Sequence, residues 1–215
     1  RTPNYAAPLL NEPMDSEVDR QVKANYAEVR RHAWDTFAGV PFERLKPSAL
    51  AETPEQRQAH YEACWQDGGF SLWIGSYQDI LFDRAANETA AEFVRAKIRD
   101  RVENPALADM LCPPKSQAYG TKRQPCETNY YETYNRDNVT LVDIKKAPIE
   151  EISPTGLRTA DAEHDLDILI YATGFDAFTG ALFRMDVRGR NDQPLKDRWS
   201  AGPRTAPPSA WTSSR

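Results

Sequence analysis

The chain has 215 residues, 40% of them hydrophobic and 27% charged, with a formal net charge of −5. That length suits one or two modest domains, and the mild acidic excess argues against a general nucleic-acid surface. No apolar run approaches the length of a membrane span, so neither nucleic acid nor membrane is an expected partner. Residues 1–15 hold three prolines and read as an irregular connection. Ser16 is placed to cap a helix with Asp19 at its third position, and Val18, Val22, Tyr26 and Val29 then recur at helical spacing, predicting an amphipathic helix over 17–36. Gly39 and Pro41 end it. Thr53-Pro54 supplies a cap followed by proline at the first helical position, predicting a helix to about Asp67, where Gly68-Gly69 stops it. Phe70, Leu72, Trp73, Ile74, Tyr77, Ile80, Leu81 and Phe82 form an apolar block suited to a core, a substrate-facing wall or an inter-domain face. A further helix is expected from Asn87, with Ala86, Ala90, Val94 and Ile98 four apart, and a short one from Asn104-Pro105 to Leu111.

Composition changes after Pro114. Val139–Ile144 is β-branched and reads as a strand, followed by shorter strands at Ile149–Ile152, Gly156–Thr159 and Asp165–Tyr171. The last of these runs into Ala172-Thr173-Gly174-Phe175-Asp176, where glycine lets the backbone approach something closely. Met185–Gly189 is a candidate hairpin arm. Helices followed by sheet give an α/β class, with too few buried strands for an open parallel sheet to be complete within these residues.

The common chemical motifs are missing from these residues: no Gly-x-Gly-x-x-Gly, Gly-x-Ser-x-Gly, His-Glu-x-x-His or Walker loop occurs. His32, His60 and His164 lie in unrelated contexts. Cys64, Cys112 and Cys126 are odd in number and widely spaced, which makes no disulfide framework and no zinc pattern and suggests buried small hydrophobes in a reducing cytoplasm. No metal site is expected. Against this background Gly120-Thr121-Lys122-Arg123 stands out, because two adjacent cations in a glycine-marked turn suit an anionic group. Arg123 keeps its charge in any environment and presents a planar fork to oxyanions, and Lys122 is a point cation suited to a phosphate. Arg1 and Thr2 are a weaker phosphate site by the same logic. Residue chemistry alone favours a solvated basic pair on a loop.

The block Gly120–Arg123, the pair Tyr130-Tyr131 and Asn135-Arg136-Asp137-Asn138-Val139 resemble the middle of a flavin-dependent Baeyer–Villiger monooxygenase. Ile149-Glu150-Glu151-Ile152, Gly156-Leu157-Arg158-Thr159 and Tyr171–Ala177 continue the likeness in order, most closely to the phenylacetone and steroid monooxygenase branch. The resemblance covers roughly 1–205. It implies an internal fragment of a flavoprotein with two dinucleotide-binding domains, one for FAD and one for NADPH. On that reading residues 1–11 end the NADPH domain, 12–114 form a helical insertion packed on it, 115–205 are linker and part of the FAD-domain sheet, and 206–215 are an aberrant tail. The implied reaction inserts one atom of O2 beside a ketone carbonyl to give an ester or lactone. Arg123 would be the catalytic arginine that stabilises the flavin peroxide, Lys122 with Arg1 and Thr2 would hold the 2′-phosphate of NADPH, and Gly174 and Asp176 would lie near FAD. The chain alone would be inactive, because the fingerprints that hold the diphosphates are not among its residues. Two other readings stay open: an N- or S-oxygenating flavin monooxygenase fragment, and a non-enzymatic truncated module. Tyr130, Tyr131 and Phe175 permit an aryl or steroidal ketone without selecting one.

Overall fold

The computed structural model describes residues 3–10, 13–36, 38–40, 44–175 and 179–203. They form two compact units, divided between Pro148 and Ile149.

The first unit is built on helices. A two-residue strand β1 (Ala7–Pro8) precedes the pair α1 (Ser16–Ala24) and α2 (Tyr26–Trp34). Asp15, not Ser16, caps α1: its carboxylate accepts from the amides of Glu17 (2.7 Å) and Val18 (3.4 Å). The expected single helix breaks at Asn25, whose backbone leaves the helical region (φ −112, ψ 21) and whose side-chain amide donates to the Gln21 carbonyl at 3.1 Å. The apolar spacing is present but covers nothing in this unit, since Val18, Val22 and Tyr26 are all exposed.

The core lies farther along. Helix α3 (Pro54–Asp67) starts at the expected Thr53 cap, which Gln56 completes into a full capping box, each satisfying the other's backbone amide. It buries His60, Tyr61, Cys64 and Trp65. After a turn through Gly68-Gly69 comes the single-turn α4 (Ser71–Gly75), and then α5 (Arg84–Arg101). The α5 helix begins three residues before Asn87, because Asp83 accepts from the Ala86 amide and takes the capping role. Its stripe of Ala86, Ala90, Val94 and Ile98 is buried with Phe93, so the helical period holds as expected. Asn104 caps α6 (Pro105–Leu111). Leu72, Tyr77 and Ile80 of the aromatic block are core, whereas Phe82 is 82% exposed.

The stretch after α6 returns to the start of the chain. Strand β2 (Cys126–Glu127) pairs in parallel with β1, Ala7 opposite Cys126. Arg101, at the end of α5, clamps this return. Its guanidinium pairs with Glu127 (2.6 Å) and with both oxygens of Glu132 (2.5 and 2.8 Å), above the Tyr131 ring. Arg95, 1% exposed, donates to the Tyr5 hydroxyl (2.9 Å), the Pro113 carbonyl (3.2 Å) and the carboxylates of Glu88 and Glu92. Residues 139–144, expected as a strand, join no ladder: 139–143 have no regular structure and Ile144 enters a turn, with Leu141 resting on the core. β-branched residues favour a strand only when a ladder partner is at hand, and none of the described strands pairs with these.

The second unit holds a three-stranded antiparallel sheet in the order β3 (Ile149–Ser153), β4 (Gly156–Thr159), β5 (Glu163–Asp165). The expected hairpin is there. Gly156 is needed in it, since a Cβ at that position would sit 2.0 Å from the His164 carbonyl oxygen. The expected strand over Asp165–Tyr171 is paired only at its first residue; beyond the Leu166 amide, which donates to Thr155, Ile168 and Ile170 are about four-fifths exposed. Short helices α7 (Gly180–Arg184) and α8 (Leu195–Arg198) follow. The Met185–Gly189 segment makes only an isolated bridge, Arg188 to Pro194.

Candidate functional site

The loop from Tyr119 to Gln124 is fixed at both ends by buried amide side chains. At its start Asn87 of α5 donates to the carbonyls of Ile80 (2.6 Å) and Tyr119 (2.8 Å) and accepts from the Tyr119 amide (2.9 Å). Because Asn87 is itself buried, these bonds are made without competition from water. At the far end Gln124, 2% exposed, accepts from the Tyr119 hydroxyl and donates to the Gly69 carbonyl (3.1 Å). Burial holds the Tyr119 hydroxyl protonated, its pKa pushed well above that of free tyrosine. Between these anchors Thr121 closes a turn on the Ala118 carbonyl.

Gly120 is the one position in the loop that no other residue could fill. It has φ +80, and a Cβ there would meet Leu81 Cδ2 at 2.6 Å and Trp73 Nε1 at 2.8 Å. The glycine thus admits the indole of Trp73, whose buried N–H has no acceptor among the described residues.

The two cations project from this scaffold. Lys122 and Arg123 are both exposed. Among the described residues neither is in an ion pair, whereas carboxylates hold Arg95 and Arg101. The Arg123 guanidinium lies over the Phe70 ring, 5.5 Å from its centroid, and the Arg123 carbonyl accepts from Asn4 Nδ2 at 3.0 Å. Asn4 itself is fixed by the Tyr5 amide (2.9 Å) and by Tyr131, whose hydroxyl reaches the Asn4 carbonyl (3.3 Å). The fold thereby brings residues 3–4 to the cation loop across most of the sequence. Arg1, Thr2 and Asp176 lie outside the described residues. Gly174 is in the second unit, with φ +86 and no described atom within 4 Å of where its Cβ would be.

A cavity of about 920 Å³ opens beyond the loop, at Pro125. Asn4, Cys126, Tyr130, Tyr134 and Leu141 are among its walls, and neither cation lines it. The Tyr134 hydroxyl donates to that of Tyr130 (3.1 Å). Burial raises the Cys126 thiol, opposed by the Arg123 charge, so it is a neutral wall and no nucleophile. Cys64 and Cys112 are buried, and their thiols are likewise raised by burial. Among the described residues no group of three His, Cys, Asp or Glu is placed to hold a metal, and no helix is long and apolar enough to cross a membrane.

Sequence reasoning found the cations and the glycine but missed the residues that place them: Asn4, Phe70, Asn87 and Gln124. Asn87 left a trace as the expected start of a helix, and Phe70 as the head of an apolar block that a core, a substrate-facing wall or an inter-domain face would equally explain.

No protein-family model matches the chain. Individual proteins match along nearly all of it. It is 44% identical over 205 residues to the 2-oxo-Delta(3)-4,5,5-trimethylcyclopentenylacetyl-CoA monooxygenase of Pseudomonas putida, covering 95% of this chain and 37% of that enzyme. It is 41% identical over 205 residues to a Baeyer–Villiger monooxygenase of Pseudooceanicola batsensis, covering 94% and 37%. The fold agrees. The crystal structure of OTEMO in complex with FAD and NADP superposes with a TM-score of 0.88 at 44% identity, over 94% of this chain and 37% of that one. Oxidized steroid monooxygenase bound to NADP gives 0.87 at 46%, over 95% and 39%.

The chain belongs to the flavin-dependent Baeyer–Villiger-type monooxygenases. It spans a little over a third of the length of the relatives it matches. Its helices and partial sheet are those of part of this two-domain α/β family. The chain is also 36% identical over 205 residues to a phenazine N-monooxygenase of Lysobacter antibioticus, covering 94% of this chain and 37% of that enzyme.

Proposed function

We propose that this chain supplies part of an FAD- and NADPH-dependent monooxygenase that inserts one atom of O2 beside a ketone carbonyl, giving an ester or lactone. The observation that carries the reading is the cation loop: Arg123 and Lys122 are exposed and free of carboxylates among the described residues, on a backbone tied down at Asn4, Asn87 and Gln124. A surplus of positive charge on a fixed loop fits an anionic cofactor. Bound FAD would supply the oxygen-activating chemistry and NADPH the reducing equivalents. Arg123 then presents a permanent charge to the oxygen that becomes anionic during transfer, and helps to position the nicotinamide. Because its donors are fixed before reaction, little reorganisation is needed as that charge develops. Lys122, with Arg1 and Thr2, is proposed to take the 2′-phosphate of NADPH, and Gly174 and Asp176 to lie beside FAD. The substrate class is a small ketone.

The test is a graft. Residues 3–203 replace the matching segment of the Pseudomonas putida monooxygenase, and the product formed from a ketone panel is analysed. Ester or lactone formation that is lost in Arg123→Ala, with FAD retained, is the expected result. A graft that binds FAD and makes ester equally well without Arg123 would overturn the role given to that residue. The relationship to the phenazine N-monooxygenase favours a second reading, oxygenation at nitrogen. That reading wins if the graft oxidises heteroaromatic amines and leaves every ketone untouched.

A further inference from the structure

We propose that Phe70 is the positioning residue for Arg123: its ring is the shelf on which the guanidinium rests, and it sets the direction in which the charge is presented. The catalytic consequence rests on the reading of Arg123 given above, whereas the geometry stands without it.

An exposed arginine carries a long side chain with many rotamers, and a charge that must act on a developing anion has to be held in place beforehand. Elsewhere in this chain the holding is done by carboxylates, as for Arg95 and Arg101. A carboxylate at Arg123 would also cancel the charge that the site presents. An aromatic face restrains a guanidinium through its ring quadrupole and leaves the net charge intact. The Arg123 guanidinium lies 5.5 Å from the Phe70 centroid, within the range of that interaction.

The ring is itself immobilised. Phe70 sits at the N-cap of α4, packed edge-on against Trp73 at 5.4 Å, and the carbonyl just before it, on Gly69, accepts from Gln124. Trp73 in turn presses its indole into the space left by the missing side chain of Gly120. The α4 turn therefore touches the cation loop three times, at Gly120, Arg123 and Gln124. Phe70 is the contact that meets the charge.

The experiment is side-chain NMR on the chain with ¹⁵N-labelled arginine, the Arg123 Nε–H signal being identified by its loss in Arg123→Lys. The expected wild-type signal is displaced by the ring current of Phe70. It moves toward the free-arginine position in Phe70→Leu and stays displaced in Phe70→Tyr. A wild-type signal already at the free-arginine position overturns the proposal even if no variant folds, as does a Phe70→Leu signal that does not move. Titration with NADP⁺ of the FAD-loaded graft described above, which carries the remaining cofactor-binding residues, adds a second readout. Phe70→Leu should weaken binding about two- to five-fold, the worth of one exposed cation–π contact, and should have no effect in an Arg123→Gln background. A displaced Arg123 signal with no response to NADP⁺ would leave the shelf standing and count against the cofactor reading.

Discussion

Replacing Asn87 with alanine probes the anchor of the cation loop most directly. The side chain makes three buried hydrogen bonds, to the Ile80 carbonyl at 2.6 Å, the Tyr119 carbonyl at 2.8 Å and from the Tyr119 amide at 2.9 Å. Each such bond nets about 1 kcal/mol, and a buried group stripped of its partner costs about 1–3 kcal/mol. Three stripped groups give roughly 3–9 kcal/mol, of which alanine returns about half a kcal/mol through its better helix propensity. Even the low end, a net loss of about 2.5 kcal/mol, is a drop of more than fiftyfold in the folding equilibrium. Urea unfolding of the first unit, followed by tryptophan fluorescence, should show it as a lower midpoint with an unchanged slope. Hydrogen exchange adds the local test: the Tyr119 amide should lose protection well before the amides of α3. A stability change under about 1 kcal/mol, or a Tyr119 amide as protected as in the parent, would refute the claim that Asn87 holds the loop.

Three further outcomes are expected. Gly120→Ala forces a Cβ to within 2.8 Å of both Leu81 and Trp73 at a positive φ. It should cost roughly 2–4 kcal/mol in urea titration and shift the Trp73 emission. Arg95→Met removes the donors that serve the Pro113 carbonyl and the Tyr5 hydroxyl but strands no buried carboxylate, because Glu88 and Glu92 are half exposed. A loss of about 2–3 kcal/mol is expected from the two buried acceptors, read as a lower melting temperature. His60 is buried, with its ring nitrogen 3.1 Å from the Ser76 carbonyl, and burial holds its pKa below the ordinary histidine value, helped by the charges of Lys46 and Arg44 and opposed by Glu52. The unfolded chain therefore takes up this proton first as pH falls. Stability contributed by neutral His60 is complete above about pH 6.5 and declines below it, and His60→Gln should flatten urea midpoints measured between pH 7.5 and 5.5.

What the residue string reveals here is mostly local. Thr53-Pro54 with Gln56 and Asn104-Pro105 carry their own stop and start signals, so α3 and α6 fall where the spacing puts them. The turn glycine at 156 and the β-branched runs around it likewise make the β3–β4 hairpin readable. Elements whose form depends on a distant partner were misread. Val139–Ile144 and Ile168–Tyr171 have strand composition but join no ladder among the described residues, and propensity without a ladder leaves the backbone irregular. The cations of the site were legible because charge and glycine are visible in a list of letters. Their supports were not, since Asn4 and Phe70 act on Arg123 from 119 and 53 positions away, and nothing in their own surroundings marks them for that role.

The parallel pairing of Ala7 with Cys126 has a consequence for how the protein reaches this state. Helices α3, α5 and α6 can begin to form from contacts a few residues apart, within microseconds. The two-residue ladder cannot. It closes a loop of more than a hundred residues, and that entropy must be met before the ladder, the Asn4 tether and the Arg101 clamp contribute anything. The Arg123 loop is then among the last parts of the first unit to settle. During synthesis the segment around Tyr5 must wait, with its aromatic face uncovered, until the ribosome has released the chain beyond residue 131.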